Sequence, residues 1–96
     1  MAAFFIATTK IKDAEKFQEY AGQAGQTISA HGGKMIARGK VAAALAGECT
    51  HQGTGIVRFP DMDTLSGWYN SAEYQALIPL RNEAVEMSLV AYQEPD

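Results

Sequence analysis

Both alternating sets of side chains in the first extended segment are apolar, and this feature constrains the fold more than any other. Residues 3–9 read Ala-Phe-Phe-Ile-Ala-Thr-Thr, and residues 55–59 read Gly-Ile-Val-Arg-Phe before Pro60 ends the segment. Successive side chains of a β-strand point to opposite faces of the sheet, so a strand that is apolar on both faces has to be covered on both sides. A chain of 96 residues forms one domain and has little material for two covering layers.

A first helix is predicted after the opening strand. Apolar residues recur at steps of three and four through residues 14–28, which is typical of a helix with one buried side. Asp13 is placed to begin this helix, and the His-Gly-Gly turn of residues 31–33 is placed to end it. Gly22 and Gly25 lie inside the helix at a cost of ~1 kcal/mol each relative to alanine. A close approach of helix and sheet is the simplest interpretation of Gly25.

A second helical region and two further strands complete the pattern. Asp61 or Asp63 is placed to begin the second helical region, and residues 70–71 interrupt it. Ser71 is placed to begin a second piece, which Pro79 is predicted to kink or divide. Residues 34–46 are predicted as a strand that is bent or bulged at Gly39, and residues 88–92 as the last strand. The predicted order of elements is therefore β-α-β-β-α-β.

This order predicts an α+β fold. With right-handed crossovers it gives the ferredoxin-like βαββαβ sandwich, in which helices cover one face of a four-stranded antiparallel sheet. The single domain spans residues 1–96, and no segment of it is left to cover the second apolar face of the sheet. An uncovered apolar face indicates an interface. We therefore expect a homodimer whose two sheets pack face to face, which is the dimeric α/β barrel arrangement.

Composition excludes several other classes of protein. One cysteine cannot form an internal disulfide, and a net charge of −3 makes nucleic acid an unfavourable partner. The first apolar segment is shorter than a membrane span and lacks the basic start of a signal peptide. We expect a cytoplasmic protein with no membrane partner. The sequence contains no phosphate-binding loop, dinucleotide fingerprint or zinc-ligand spacing, so no metal or cofactor is predicted.

Several short motifs of this sequence follow the pattern of a known family. They are Val57-Arg58-Phe59-Pro60, Trp68-Tyr69-Asn70-Ser71-Ala72-Glu73-Tyr74-Gln75, Arg81, Gly32-Gly33 and Arg38-Gly39. With these motifs the chain resembles one bacterial family, the domain of unknown function 1330. The resemblance covers essentially the whole chain and implies a small dimeric α+β barrel, related in architecture to muconolactone isomerases and antibiotic-biosynthesis monooxygenases. Ala72 departs from the proline that is common there, and Arg58 replaces a common acidic residue. The second departure puts in doubt any role for a carboxylate at that position.

The second helical region holds the first group of candidate ligand-binding residues. Arg81 follows Tyr74 by seven positions, so it shares the apolar side of that region, where a guanidinium needs a partner. It is a candidate to bind a ligand carboxylate or enolate, and the alternative is a structural arginine paired within the protein. Trp68, Tyr69 and Tyr74 are candidates to wall a pocket between helix and sheet, and the alternative is that they form core or dimer contacts.

The other candidates lie on strands and turns. Arg38 and Arg58 form a positive site if they share a sheet face, which alternation alone does not settle. His31, in the last turn of the first helix, is a candidate ligand-binding residue, and the alternative is a helix cap. Cys49 and His51 lie two residues apart, and we interpret them as part of an exposed loop because adjacent loop residues seldom form a catalytic pair.

Two functional hypotheses follow. The first is a protein that binds a small anionic or cyclic organic molecule in a helix–sheet pocket, with the isomerase- or monooxygenase-like, cofactor-independent chemistry that the resemblance implies. The second is a non-catalytic dimeric module with a structural or regulatory role. Fold alone does not choose between them, because one architecture hosts many functions.

Overall fold

Four strands and four helices build the part of the chain, residues 1–95, that this computed structural model describes. In chain order the elements are β1 (Ala3–Ile11), α1 (Ala14–Ala30), β2 (Lys34–Lys40), β3 (Gly53–Phe59), α2 (Met62–Tyr69), α3 (Ala72–Gln75), α4 (Ile78–Ala84) and β4 (Val85–Gln93). The order along the sheet is β2-β3-β1-β4, with every neighbouring pair antiparallel. The predicted ferredoxin-like α+β sandwich is confirmed.

The hydrophobic core lies on one face of the sheet, beneath the helices. Ala3, Phe5 and Ala7 of β1 alternate with less buried neighbours and pack with Val57 and Phe59 of β3. The helices contribute their buried side chains to the same cluster: Tyr20, Ala24, Leu65, Trp68 and Tyr74. The helices therefore share one face of the sheet, as the sequence pattern predicts.

The helix boundaries follow from capping residues that the sequence identifies. The carboxylates of Asp13 and Asp61 accept hydrogen bonds from backbone N–H groups of α1 and α2, and the hydroxyl of Ser71 does the same for α3. Pro79 lies in the first turn of α4, where its missing N–H costs no helical hydrogen bond, so it divides the region rather than bending one helix. Gly32 ends α1 with a φ of 82°.

The predicted second strand was wrong in its length and in the position of its bulge. β2 ends at Lys40 rather than at residue 46. The Val41 N–H still donates to the Gln52 carbonyl oxygen at 2.7 Å, but residues 42–52 form the loop that leads to β3. The irregularity lies between Met35 and Ala37, not at Gly39. A bulge adds one residue to a strand, so the residues after it exchange faces relative to simple alternation.

The opposite face of the sheet, which we name the outer face, carries a mostly apolar centre. Phe4, Ile6, Ile56, Val90 and Tyr92 lie on it, since their register partners alternate with the core positions. Val90 and Tyr92 are 47% and 44% exposed, and the rings of Phe4 and Tyr92 stack with centroids 5.3 Å apart.

Candidate functional site

An open-sided cavity lies between α1 and the helix-facing side of the sheet, and we name it the α1 cavity. Its volume is about 470 Å³, within the range of small-molecule sites. Its walls are largely apolar, and they include Phe5, Ala7, Val57 and Leu89 from the sheet and Phe17 and Ile28 from α1. The pocket predicted between the sheet and the second helical region has a counterpart in a smaller cavity beside α2.

Small residues on both walls leave this space open. Ala21, Ala24 and Gly25 line the cavity from α1, and Ala7 and Gly55 line it from the sheet. A Cβ atom added at Gly25 would meet nothing within 4 Å. The interpretation of Gly25 as a point of close helix–sheet contact was therefore wrong, because the missing side chain adds to a hollow rather than relieving a clash.

Two cationic residues of β2 lie at the cavity. Arg38 pairs in register with Gly55 and Lys40 with Gly53, and both partners belong to the helix-facing set of β3. The bulge after Met35 moves Arg38 and Lys40 to this side of the sheet. No aspartate or glutamate of the described chain lines the cavity, so the two cations set its electrostatic character.

A chain of three polar side chains runs from α4 to the cavity wall. The Arg81 guanidinium donates from Nη1 to the Tyr74 hydroxyl at 3.0 Å, and the Tyr74 hydroxyl lies 2.7 Å from that of Tyr20. Tyr20 lines the α1 cavity, whereas Tyr74 is fully buried. Burial, with a smaller contribution from Tyr74, raises the pKa of the Tyr20 phenol well above its ordinary value, so Tyr20 remains protonated.

Arg81, a candidate ligand-binding residue, does not itself line the cavity. It is half-buried and donates to the Tyr74 hydroxyl. Within residues 1–95 no carboxylate lies within 4.0 Å of its side-chain nitrogens. Arg81 is therefore paired with a hydroxyl of the protein, and it is linked to the cavity wall through Tyr74 and Tyr20.

Trp68 separates the α1 cavity from a smaller one beside α2. It is 1% exposed, and its ring stacks on Phe5 with centroids 5.0 Å apart. Its indole N–H donates to the Thr27 hydroxyl at 2.9 Å, which fixes the ring against α1. The smaller cavity has a volume of about 190 Å³ and has Tyr69 in its wall, so Trp68 and Tyr69 both reach a cavity surface.

His31 and Arg58 lie away from both cavities. His31 is the C-cap of α1, and its Nδ1 lies 2.9 Å from the Thr27 carbonyl oxygen. Arg58 pairs in register with Phe4 and so lies on the outer face, where it donates from Nε to Glu94 at 2.7 Å. Arg38 and Arg58 therefore lie on opposite faces of the sheet and do not form one positive site.

The outer face holds a polar cluster that the sequence analysis missed. The Thr8 hydroxyl lies 2.9 Å from Nδ1 of His51, and Nε2 of His51 lies 3.2 Å from a Glu86 carboxylate oxygen. The His51 side chain is only 14% exposed, so its interpretation as an exposed loop residue was wrong. Cys49 is exposed and its sulfur donates to the His51 carbonyl oxygen rather than to the imidazole. No sequence spacing links Thr8, His51 and Glu86, because the register of the strands brings them together.

Neither a metal site nor a membrane span is found in the described chain. Residues 1–95 contain no group of three or more histidine, cysteine or acidic side chains arranged to hold a metal ion. None of the helices formed by these residues has the length and apolar character needed to cross a bilayer.

The sheet order, the helix layer and the cavity between them define a ferredoxin-like α+β protein. The family model described as "Domain of unknown function (DUF1330)" matches residues 2–94. The chain belongs to this family, which confirms the resemblance of its motifs. Comparison with curated proteins gives no match.

Solved structures with low sequence identity share the fold. RPA0582, a protein of unknown function from Rhodopseudomonas palustris, has a TM-score of 0.83 at 15% identity over 99% of this chain and 83% of its own. SnoaB, a cofactor-independent oxygenase from Streptomyces nogalater, has a TM-score of 0.72 at 7% identity over 99% of this chain and 94% of its own. A dimeric ferredoxin-like protein of unknown function from Thermobifida fusca has a TM-score of 0.63 at 12% identity over 98% of this chain and 92% of its own.

Proposed function

We propose that this protein binds a small organic anion with an apolar body in the α1 cavity. The observation that carries the proposal is the combination of a cavity of about 470 Å³ with apolar walls and two cations, Arg38 and Lys40, in its lining. Apolar walls favour burial of a hydrocarbon body. A guanidinium binds a carboxylate with two parallel hydrogen bonds.

The charge distribution favours this ligand class over a neutral one. The lining contains two basic and no acidic side chains of the described residues, although the whole chain has a net charge of −3. A cation at the edge of an apolar cavity keeps part of its solvation and attracts the charged end of a ligand. The non-catalytic structural alternative gives no reason for a hollow of this size lined by an arginine.

We infer that the binding unit is a homodimer formed through the outer faces of two sheets. The apolar centre of this face, with Val90 and Tyr92 nearly half exposed, supports packing against a second copy. The Thermobifida fusca protein of the same fold is described as dimeric. The α1 cavity opens on the other side of the sheet, so a dimer of this geometry leaves both cavities accessible.

The likeness to SnoaB supports a catalytic variant of the same proposal. SnoaB is a cofactor-independent oxygenase, and the α1 cavity holds a polar chain, Arg81–Tyr74–Tyr20, that a simple binding protein does not require. Binding is the part of the proposal that the cavity supports directly. Catalysis would require the same ligand to react there without an added cofactor.

Binding of 2-naphthoate tests the proposal, because this probe combines a flat apolar body with one carboxylate. We expect calorimetric titration to show saturable binding to the wild-type protein. The substitution Gly25→Leu should fill the cavity and abolish binding. Gly22→Leu is the matched control, since Gly22 lies in the same helix, has open space around it and does not line the cavity.

The cationic side of the site is tested separately. Arg38→Gln should weaken 2-naphthoate binding about tenfold, because it removes a charge-assisted hydrogen bond. Arg58→Gln, on the opposite face of the sheet, should leave the affinity unchanged. Equal binding to the wild-type, Gly25→Leu and Gly22→Leu proteins would refute a site in the α1 cavity.

A further inference from the structure

The donor and acceptor groups of Arg81, Tyr74 and Tyr20 favour one direction for the hydrogen bonds between them. A guanidinium only donates, so the Tyr74 oxygen accepts from Arg81 across 3.0 Å. The Tyr74 side chain is fully buried, and within residues 1–95 its hydroxyl has one other partner, the Tyr20 hydroxyl at 2.7 Å. Either hydroxyl of this pair could donate, but a buried hydroxyl proton without an acceptor is costly. The favoured arrangement has Tyr74 donating its proton to the Tyr20 oxygen.

This direction leaves the Tyr20 proton without an acceptor in the described chain. The Tyr20 oxygen already accepts from Tyr74, and residues 1–95 offer its hydroxyl no further hydrogen-bond partner. Tyr20 lines the α1 cavity, so a molecule bound there is a candidate acceptor for this proton. The positive charge of Arg81 polarises both hydroxyl groups in sequence, which strengthens the last donor of the chain.

We propose that Tyr20 donates a hydrogen bond to a carbonyl oxygen of the ligand, with Tyr74 and Arg81 as positioning residues. This inference rests on the proposed binding of an organic anion in the α1 cavity and adds a second polar group to that ligand. The high pKa of the Tyr20 phenol agrees with a donor rather than a base.

The position of the donor relative to the cations gives the ligand its dimensions. Tyr74 packs on Trp68 with ring centroids 4.4 Å apart, and Trp68 stacks on Phe5 of β1. The donor therefore lies on the β1 side of the cavity, and Arg38 lies on β2, with β3 between the two strands. Two strand spacings are about 10 Å. The ligand class is an aromatic or polycyclic acid whose carboxylate and carbonyl lie at opposite ends of its apolar body.

A pair of probes separates this inference from the binding proposal. 2-Naphthoate carries the carboxylate alone, and 6-acetyl-2-naphthoate adds a carbonyl at the far end of the two fused rings. We expect the acetyl probe to bind the wild-type protein about fivefold more tightly, as one additional hydrogen bond would give. Tyr20→Phe should remove this preference while retaining 2-naphthoate binding, and the acetyl C=O stretching frequency should be lowered only in the complex with a donor at Tyr20.

The two positioning residues, Tyr74 and Arg81, are tested by the ratio of the affinities for 6-acetyl-2-naphthoate and 2-naphthoate. Arg81→Met and Tyr74→Phe should each reduce the preference for the acetyl probe, because they remove the charge or the relay. A purely structural effect of either change would weaken both probes equally. Tyr92→Phe, a tyrosine on the outer face, is the matched control and should keep the full preference.

Each outcome has a distinct meaning. Failure of both probes to bind the wild-type protein overturns the binding proposal and this inference together. Equal affinities of the two probes for the wild-type protein, or an acetyl preference that survives in Tyr20→Phe, overturn the donor role alone. Thermal unfolding of Tyr20→Phe shows whether this variant folds. Arg81→Met tests the same series of hydrogen bonds without changing a residue of the cavity wall.

Discussion

The start of α2 depends on a single carboxylate. Asp61 accepts hydrogen bonds from the side-chain hydroxyl and the backbone N–H of Thr64, both at 2.7 Å. The hydrogen bond from the Thr64 hydroxyl, and to a smaller extent the one from the backbone N–H, lowers the pKa of Asp61 below its ordinary value of 3.8. A carboxyl whose pKa is lower in the folded state stabilises the fold above its unfolded-state pKa, and this stabilisation is lost as the pH falls through the folded-state value.

We therefore expect the charge of Asp61 to stabilise the protein at neutral pH and not in acid. Asn is also a good N-cap but does not ionise, so Asp61→Asn isolates the charge. The wild-type advantage over this variant in the free energy of unfolding should shrink as the pH is lowered from about 6 to about 3. Urea unfolding of both proteins at a series of pH values measures this difference in the free energy of unfolding.

Asp63→Asn is the control for this experiment. Asp63 lies in the first turn of the same helix but does not accept the Thr64 hydrogen bonds. Asp63→Asn should therefore change the pH dependence of the free energy of unfolding less than Asp61→Asn does. Parallel pH dependences of the free energy of unfolding for the wild-type protein and Asp61→Asn would contradict the assignment of this stabilisation to the charge of Asp61.

Sequence reasoning at this scale succeeds where a contact is local. Asp61, Ser71 and Gly32 act within three or four residues of their own position, and the sequence indicated Ser71, Gly32 and, as an alternative to Asp63, Asp61. The Arg81–Tyr74 contact also lies within one helical region, and the seven-residue spacing indicated a shared side. Thr8, His51 and Glu86 come from three distant segments, and nothing in the sequence fixes the register that joins them.

Helix α1 carries two interior glycines whose cost is not offset by packing. A Cβ atom at Gly22 or at Gly25 would meet nothing within 4 Å. Glycine costs about 1 kcal/mol relative to alanine inside a helix. Gly22→Ala and Gly25→Ala should each raise the free energy of unfolding by about this amount, measured by chemical denaturation.

Gly33→Ala provides the contrasting case immediately after α1. A Cβ atom there would lie 2.6 Å from Ile28 Cγ2 and 2.8 Å from the Phe59 ring, so the substitution should lower stability. A higher free energy of unfolding for Gly33→Ala, or a lower one for both Gly22→Ala and Gly25→Ala, would show that the helix and its C-terminal turn pack differently.

The strands and helices were predictable as elements, but the end of β2 was not. Residues 41–46 are all apolar and include four alanines, which allows a strand locally, yet β3 begins only at Gly53 and the backbone pairing ends at Val41, whose N–H donates to the Gln52 carbonyl oxygen. Pairing partners decide where an edge strand ends, and they lie far away in the sequence. The bulge between Met35 and Ala37 escaped prediction for the same reason, because no glycine marks it.

Across the whole molecule, the outer face is the surface that we assign to a second copy of the chain. Val90→Lys and Tyr92→Lys together place two charges in the apolar centre of this face, where both side chains are exposed in the single chain. We expect the double variant to fold but to be monomeric, because the charges would have to be buried in the dimer. Light scattering coupled to size-exclusion chromatography measures the mass.

The control for the assembly test is Leu45→Lys. Leu45 is 96% exposed in the loop between β2 and β3, so it tests whether any exposed apolar side chain has the same effect. A wild-type protein of 10.4 kDa in solution would rule out the dimer. A double variant that remains dimeric would rule out the outer face as the interface.

The bulge in β2 decides which face of the sheet two positive charges occupy. Arg38 and Lys40 follow Met35 by three and five residues, so strict alternation would place them on the outer face. The extra residue between Met35 and Ala37 instead brings them opposite Gly55 and Gly53, on the helix-facing side. Regular pairing of the same residues without the bulge would move both charges to the outer face, whereas deletion of the extra residue would leave them where they are. The position of the two cations therefore depends on the geometry of one short irregularity.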